Sequence, residues 1–204
     1  MYVKVPNVMN STRLIYLHGF NSSPASHKAR VLHAYMEQRG LLDQLVIPEI
    51  PPVPAEAMSM LVALYEENKK SADIAVAGSS LGGFYSTCLA ERFGCKAVLI
   101  NPAVRPHLLL AKYLGENTNY YTDEHWMLDK SHIEQFHQMD IETITRPERY
   151  FLMLQKGDET LDYGQALDKY RGCRVMLEEG GDHSFAGFEN HISEILNFCG
   201  IGAG

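Results

Sequence analysis

The segment Gly78-Ser79-Ser80-Leu81-Gly82-Gly83 follows the apolar run Asp73 to Ala77 and precedes a helical pattern from Phe84 to Phe93, so a serine stands where a strand turns into a helix. In a G-x-S-x-G turn, the glycines two residues either side of the serine let strand and helix approach closely while the strained serine projects its hydroxyl. Ser80 has that frame, whereas Ser79 is flanked at the same distance by Ala77 and Leu81. The chemistry open to such a serine is acyl transfer through a covalent intermediate.

An attacking serine needs a base, and the base needs a carboxylate to hold its tautomer, in the chain order serine, acid, histidine for this type of turn. Asp158 follows the apolar run Tyr150 to Leu154, and His183 lies in Gly180-Gly-Asp-His-Ser-Phe185, between the last strand and the last helix. Asp162 is the nearest rival acid, but Asp162-Tyr-Gly-Gln165 has the spacing of a helix N-cap with a glutamine returning at the third position. Asp182 reads as a turn residue. The negative charge that develops on a carbonyl oxygen needs donors, and the expected ones are backbone amides of Leu81, after the nucleophile, and Phe20, in the loop after the first strand. His18, beside that loop, is expected to be structural rather than a base.

The other histidines form no H-E-x-x-H or close ligand set, which leaves no metal expected. Phosphate and dinucleotide glycine motifs are absent as well, so no cofactor is expected.

These residues must be positioned by a scaffold. Arg13 to Leu17, Leu45 to Pro48, Asp73 to Ala77, Lys96 to Ile100, Tyr150 to Leu154 and Arg174 to Leu177 are short apolar runs, and stretches of helical periodicity separate most of them. Continuously apolar strands joined by helices imply a parallel sheet covered on both faces, here a doubly wound α/β fold of about six strands. The expected organisation is a single domain over residues 1–204 with residues 101–148 as a helical lid, because that interval is longer than one crossover needs. It holds Trp126, the only tryptophan, together with Tyr120 and Tyr121, which either line an acyl pocket or pack the lid onto the sheet. Arg105, just beyond a strand end, either meets an anionic group on a substrate or forms a structural salt bridge.

A length of 204 residues suits one domain, and 18 Lys and Arg against 25 Asp and Glu leave a net charge of −7. That charge offers no basis for gripping nucleic acid or an anionic membrane. No apolar run is long enough to span a bilayer, and residues 1–10 lack the pattern of a secretory signal, so a cytoplasmic location is expected. The four cysteines make no CxxC pair and read as buried free thiols.

Taken together, Leu-Ile-Tyr-Leu-His18-Gly-Phe-Asn-Ser-Ser-Pro24, Ile-Pro-Glu-Ile-Pro-Pro52, Gly78 to Gly83, Asn101-Pro-Ala-Val-Arg-Pro106, Gly157-Asp-Glu-Thr-Leu-Asp-Tyr163 and Gly180 to Phe185 resemble the α/β-hydrolase superfamily, and closely its small bacterial YqiA-type esterases. The resemblance covers the chain after about residue 12, leaving residues 1–10 as an extension. It implies a cytosolic esterase using Ser80, Asp158 and His183 on short acyl esters, with acyl-CoA thioesters as a further substrate class and a lid after Asn101. Two other classes share these residues: a hydrolase-fold protein that binds a ligand or partner without turnover, and an acyltransferase that passes the acyl group to an acceptor other than water. Oligomeric state is not legible.

Overall fold

The computed structural model describes residues 11–202, so the extension and signal readings over residues 1–10 lie outside the described residues. The main sheet contains β1 (Thr12–Leu17), β2 (Leu45–Val46), β3 (Asp73–Ser80), β4 (Lys96–Pro102), β7 (Tyr150–Gln155) and β8 (Arg174–Glu178), every pair parallel, in the order β2-β1-β3-β4-β7-β8. Of the Leu45 to Pro48 run only the first two residues pair, because the chain leaves the sheet into the proline-rich stretch that follows.

Alternate residues of each strand face opposite cores. Ile15, Val76, Leu99 and Leu152 point to one side, where α2 (Pro54–Lys69), α3 (Leu81–Phe93) and α6 (Tyr163–Lys169) pack. Tyr16, Ala77, Ile100 and Met153 point to the other, against α1 (His27–Glu37) and α7 (Ile192–Cys199). Both faces are covered over the inner strands, which is why these read as unbroken apolar runs in the sequence, whereas the edge strand β8 leaves Val175 and Leu177 exposed. The chain runs from β1 outward to β2 and then returns to place β3 on the other side of β1. The strand order therefore reverses between β1 and β3, the place where open parallel sheets gather their ligands beyond the strand carboxyl ends.

Residues 103–149 contain more than helices. α4 (Pro106–Leu110) and α5 (Lys130–Gln138) flank an antiparallel hairpin of β5 (Gly115–Thr118) and β6 (His125–Leu128), with Asn117 opposite Trp126. α5 starts at a capping box: Asp129 accepts from the His132 amide, and the His132 ring accepts from the Asp129 N–H. The hairpin has no counterpart in the expectation of a helical insertion, since its strands are only four residues each and neither alternates strictly between polar and apolar residues. Asp162 does cap α6 by accepting from Gly164 N–H, but among the described residues Gln165 makes no return bond. The cysteines are free thiols, Cys88, Cys95 and Cys199 buried and Cys173 half-buried.

Candidate active site

Ser80 closes β3 with φ 56° and ψ −120°, a conformation that costs a non-glycine residue free energy and holds only where the surroundings enforce it. Those surroundings are backbone pressed against backbone. A Cβ on Gly78 would lie 2.1 Å from Gly82 O, and one on Gly82 would lie 2.0 Å from Leu17 O, so any side chain at either position collides with main chain. Ser79 is buried within the strand, while the Ser80 hydroxyl reaches the strand edge.

Asp158 and His183 arrive from loops after β7 and β8. Asp158 Oδ1 accepts the Thr160 and Leu161 amides, each at 2.8 Å, and Oδ2 lies 2.8 Å from His183 Nδ1. A carboxylate only accepts, so Nδ1 carries the proton and Nε2 presents its lone pair to Ser80 Oγ, 3.1 Å away. Burial pushes the Asp158 carboxyl up, but the hydrogen bonds from His183, Leu161 and Thr160 outweigh it and hold the group below its ordinary value, ionised at neutral pH. The arrangement can take a proton from the serine hydroxyl and stabilise the resulting imidazolium.

Two backbone amides near Ser80 have no backbone acceptor among the described turns and loops. Leu81 N–H opens α3, and Phe20 N–H sits in the loop after β1. Gly19 brings that loop in, with room for only a 3.3 Å approach between an added Cβ and Ser80 Cβ. His18 is buried behind it: Nδ1 lies 3.1 Å from Gly19 O, and Nε2 accepts the Ile50 N–H at 3.3 Å. Burial lowers its pKa against the opposing pull of the Gly19 carbonyl, so the ring is neutral and serves as a brace.

Two amide side chains outside the expected site residues hold the histidine loop. Gln155 Oε1 accepts from Asp182 and Ala186 N–H at 3.1 and 2.9 Å, while Nε2 donates to Ala186 O at 2.7 Å and Glu178 Oε2 at 2.8 Å. Asn101 Oδ1 accepts the Gln155 N–H and Nδ2 donates to Asp182 O, each at 3.0 Å. Glu159 Oε2 accepts the His183 N–H at 3.1 Å. The signal that could have drawn attention to Gln155 and Asn101 is their place, polar residues closing apolar strands at the sheet's carboxyl edge.

A cleft of about 480 Å³ opens over Ser80 and His183. Tyr120 and Tyr121 line it with Leu109 and Tyr113, opposite Lys28 and Thr160. Trp126 instead lines, beside Phe20, a recess of about 30 Å³ that it shares with His18 and Leu81. Arg105 lines neither: it is exposed on an adjoining groove with Lys112, Asp162 and Gln165 that shares Leu109 and Thr160 with the cleft, and among the described residues it forms no salt bridge.

With this geometry in view, comparison with known proteins is decisive at the level of family. The pattern of the uncharacterised protein family UPF0227 matches residues 13–200. The chain belongs to the UPF0227 family. Two UPF0227 proteins, from two strains of Vibrio vulnificus, are each 23% identical to it over 197 residues, covering 91% of this chain and 97% of theirs. Among solved structures it is similar to Est1E from Butyrivibrio proteoclasticus with ferulic acid bound, at 13% identity and a TM-score of 0.71 over 94% of this chain and 89% of that one. Mouse alpha/beta hydrolase domain-containing protein 10 has 17% identity and a TM-score of 0.70 over 97% and 90% of the two chains. The Pyrococcus furiosus esterase Pf2001 has 18% identity and a TM-score of 0.63 over 94% and 81%. The UPF0227 chain therefore has the α/β-hydrolase fold.

Proposed function

We propose that this protein is a serine hydrolase that cleaves carboxylic esters of short acyl chains, and acyl thioesters by the same route. The observation that carries the reading is the unbroken relay of Asp158 Oδ2, His183 Nδ1, His183 Nε2 and Ser80 Oγ, with steps of 2.8 and 3.1 Å, mounted on a strained turn at the edge of the sheet. His183 Nε2 takes the Ser80 proton as Oγ forms a bond to the acyl carbon. The carbonyl oxygen takes the electron pair and rests on the Leu81 and Phe20 amides. Collapse of that adduct expels the alcohol or thiol, which leaves with the proton from His183. Water, deprotonated by the same ring, then attacks the acyl-enzyme and releases the acid with Ser80 restored.

The residue 101–148 segment acts as the cover of the cleft in this reading, with Tyr120 and Tyr121 offering apolar contact to the acyl or leaving group. The esterases among its structural neighbours, and the ferulic acid held by Est1E, support ester substrates by analogy of fold. Arg105 has no part in the scheme.

The test compares wild type with Ser80→Ala, using a fluorophosphonate probe and p-nitrophenyl butyrate hydrolysis in parallel. Both labelling and turnover are expected in wild type, and both are lost in the variant. A wild type that neither labels nor turns over would make the protein a hydrolase-fold binding module instead.

A further inference from the structure

The β5–β6 hairpin grips the loop that carries the Phe20 amide. Trp126 Nε1–H donates to Asn21 Oδ1 at 2.8 Å, and Asn21 Nδ2 donates to Asn117 Oδ1 at 3.2 Å. Tyr120 N–H donates to Asn21 O, and Asn119 Nδ2 to Ser22 O, each at 2.9 Å. Among the described residues, both side-chain hydrogen bonds of Asn21 therefore go to the hairpin. Asn21 itself has φ 50°, a left-handed conformation that asparagine tolerates but that needs outside support to persist as the single state. The Phe20 ring packs edge-on against Trp126, with centroids 5.6 Å apart.

The peptide joining Gly19 to Phe20 is planar, so its carbonyl and its N–H point in opposite directions. His18 holds the carbonyl side. The chain on the other side of Phe20 is held by the hairpin. Resting on the serine-hydrolase reading, we propose that Trp126 is a positioning residue for the Phe20 oxyanion donor, and that the hairpin holds this half of the oxyanion hole in place as well as forming part of the cover. Trp126 does not line the cleft over Ser80 and His183 but an adjoining recess with Phe20 and Leu81, so a split between kcat and KM distinguishes a positioning residue from a pocket wall. A hairpin lifted from the loop would release Asn21 and with it the Phe20 amide, so cleft cover and oxyanion stabilisation rise and fall together.

Complete loss of one oxyanion donor lowers kcat by about 10²- to 10³-fold, and a donor left in place but poorly aimed loses part of that. Trp126→Phe keeps an aromatic ring beside Phe20 while removing the N–H together with the fused second ring. Asn21→Gly keeps the left-handed backbone accessible and removes the side chain. For p-nitrophenyl butyrate, each variant is expected to lower kcat by about tenfold with KM changed by less than about twofold, a split that marks an interaction made in the transition state. Inhibition by an alkyl boronic acid, which forms a tetrahedral adduct on the serine, should weaken by the same factor. The double variant should lose no more than Asn21→Gly alone, because that substitution already removes the Trp126 bond.

A raised KM with unchanged kcat would make Trp126 a substrate wall and overturn the proposal. So would additive losses in the double variant, or losses that vanish when the assay is run well below each variant's Tm, which would mark Trp126 as merely structural. Absence of fluorophosphonate labelling in wild type overturns both this proposal and the reading beneath it, whereas an active wild type with an unaffected Trp126→Phe overturns this proposal alone.

Discussion

Lys28 enters the cleft from the first turn of α1 and donates from Nζ to Ser184 O at 2.7 Å, one residue beyond His183. Burial brings its pKa down to about 8, against the attraction of Asp182 and Asp158. In the unfolded chain the same group titrates near 10.4. The folded state therefore holds a reluctant charge: below pH 8 the cost is fully present, and between about pH 8 and 10 the unfolded chain binds more protons than the folded one, so stability rises with pH in that window. Lys28→Met removes this contribution. The Tm difference, wild type minus Lys28→Met, is expected to increase steadily from pH 7.5 to 10. A flat difference across that range would mean that Lys28 titrates normally and that the cleft wall is as wet as bulk solvent.

The loop of residues 180–186 shows how an element without regular structure is made rigid enough to aim a histidine. Gly180 and Gly181 take φ 71° and 75°, and a Cβ on Gly181 would come within 2.0 Å of Gln155 Oε1, so the glycine lets the loop lie directly on that amide. Gln155 in turn satisfies the Asp182 and Ala186 N–H groups and the Ala186 carbonyl. Gln155→Leu keeps the volume and deletes the partners, and each buried polar group left unpaired costs about 1–3 kcal/mol. The variant should show a lowered urea midpoint. At temperatures where it stays folded, kcat should fall while KM is held, because the scissile-group contacts are intact and only the aim of His183 is loosened. Unchanged kcat in the folded variant would show that Asn101 and Asp158 suffice to hold the loop.

At the scale of the molecule, the sheet is a partition between two cores, and β4 lies in its middle. Leu99 belongs to the face covered by α2 and α3, and Ile100 to the face covered by α1 and α7; both are fully buried. Leu99→Ala and Ile100→Ala therefore empty opposite cores from adjacent positions, and each is expected to cost about 2–5 kcal/mol. Because one set of strands is shared, each variant should still unfold in a single urea transition by circular dichroism and tyrosine fluorescence together. Two separate transitions would mean that the faces fold as independent units.

What the amino-acid sequence determined by itself is local and periodic. Apolar runs such as Tyr150 to Leu154, with both faces buried, specify a covered parallel sheet, and the G-x-S-x-G spacing specifies a turn in which bulk at Gly78 or Gly82 is impossible. The same logic marked Asp158 and His183, because each follows a strand at the edge where such sheets gather chemistry. The tertiary structure alone decided the long-range pairings. Trp126 meets Asn21 across 105 positions, and Asn101 meets Gln155 and Asp182 across 54 and 81; no spacing announces any of them. It likewise placed Arg105 on a groove beside the cleft rather than in it, although its motif sits just beyond a strand end. The reason is physical. Periodicity and turn chemistry are properties of neighbouring residues, whereas an amide's role depends on which distant backbone groups the closed fold leaves in need of a partner.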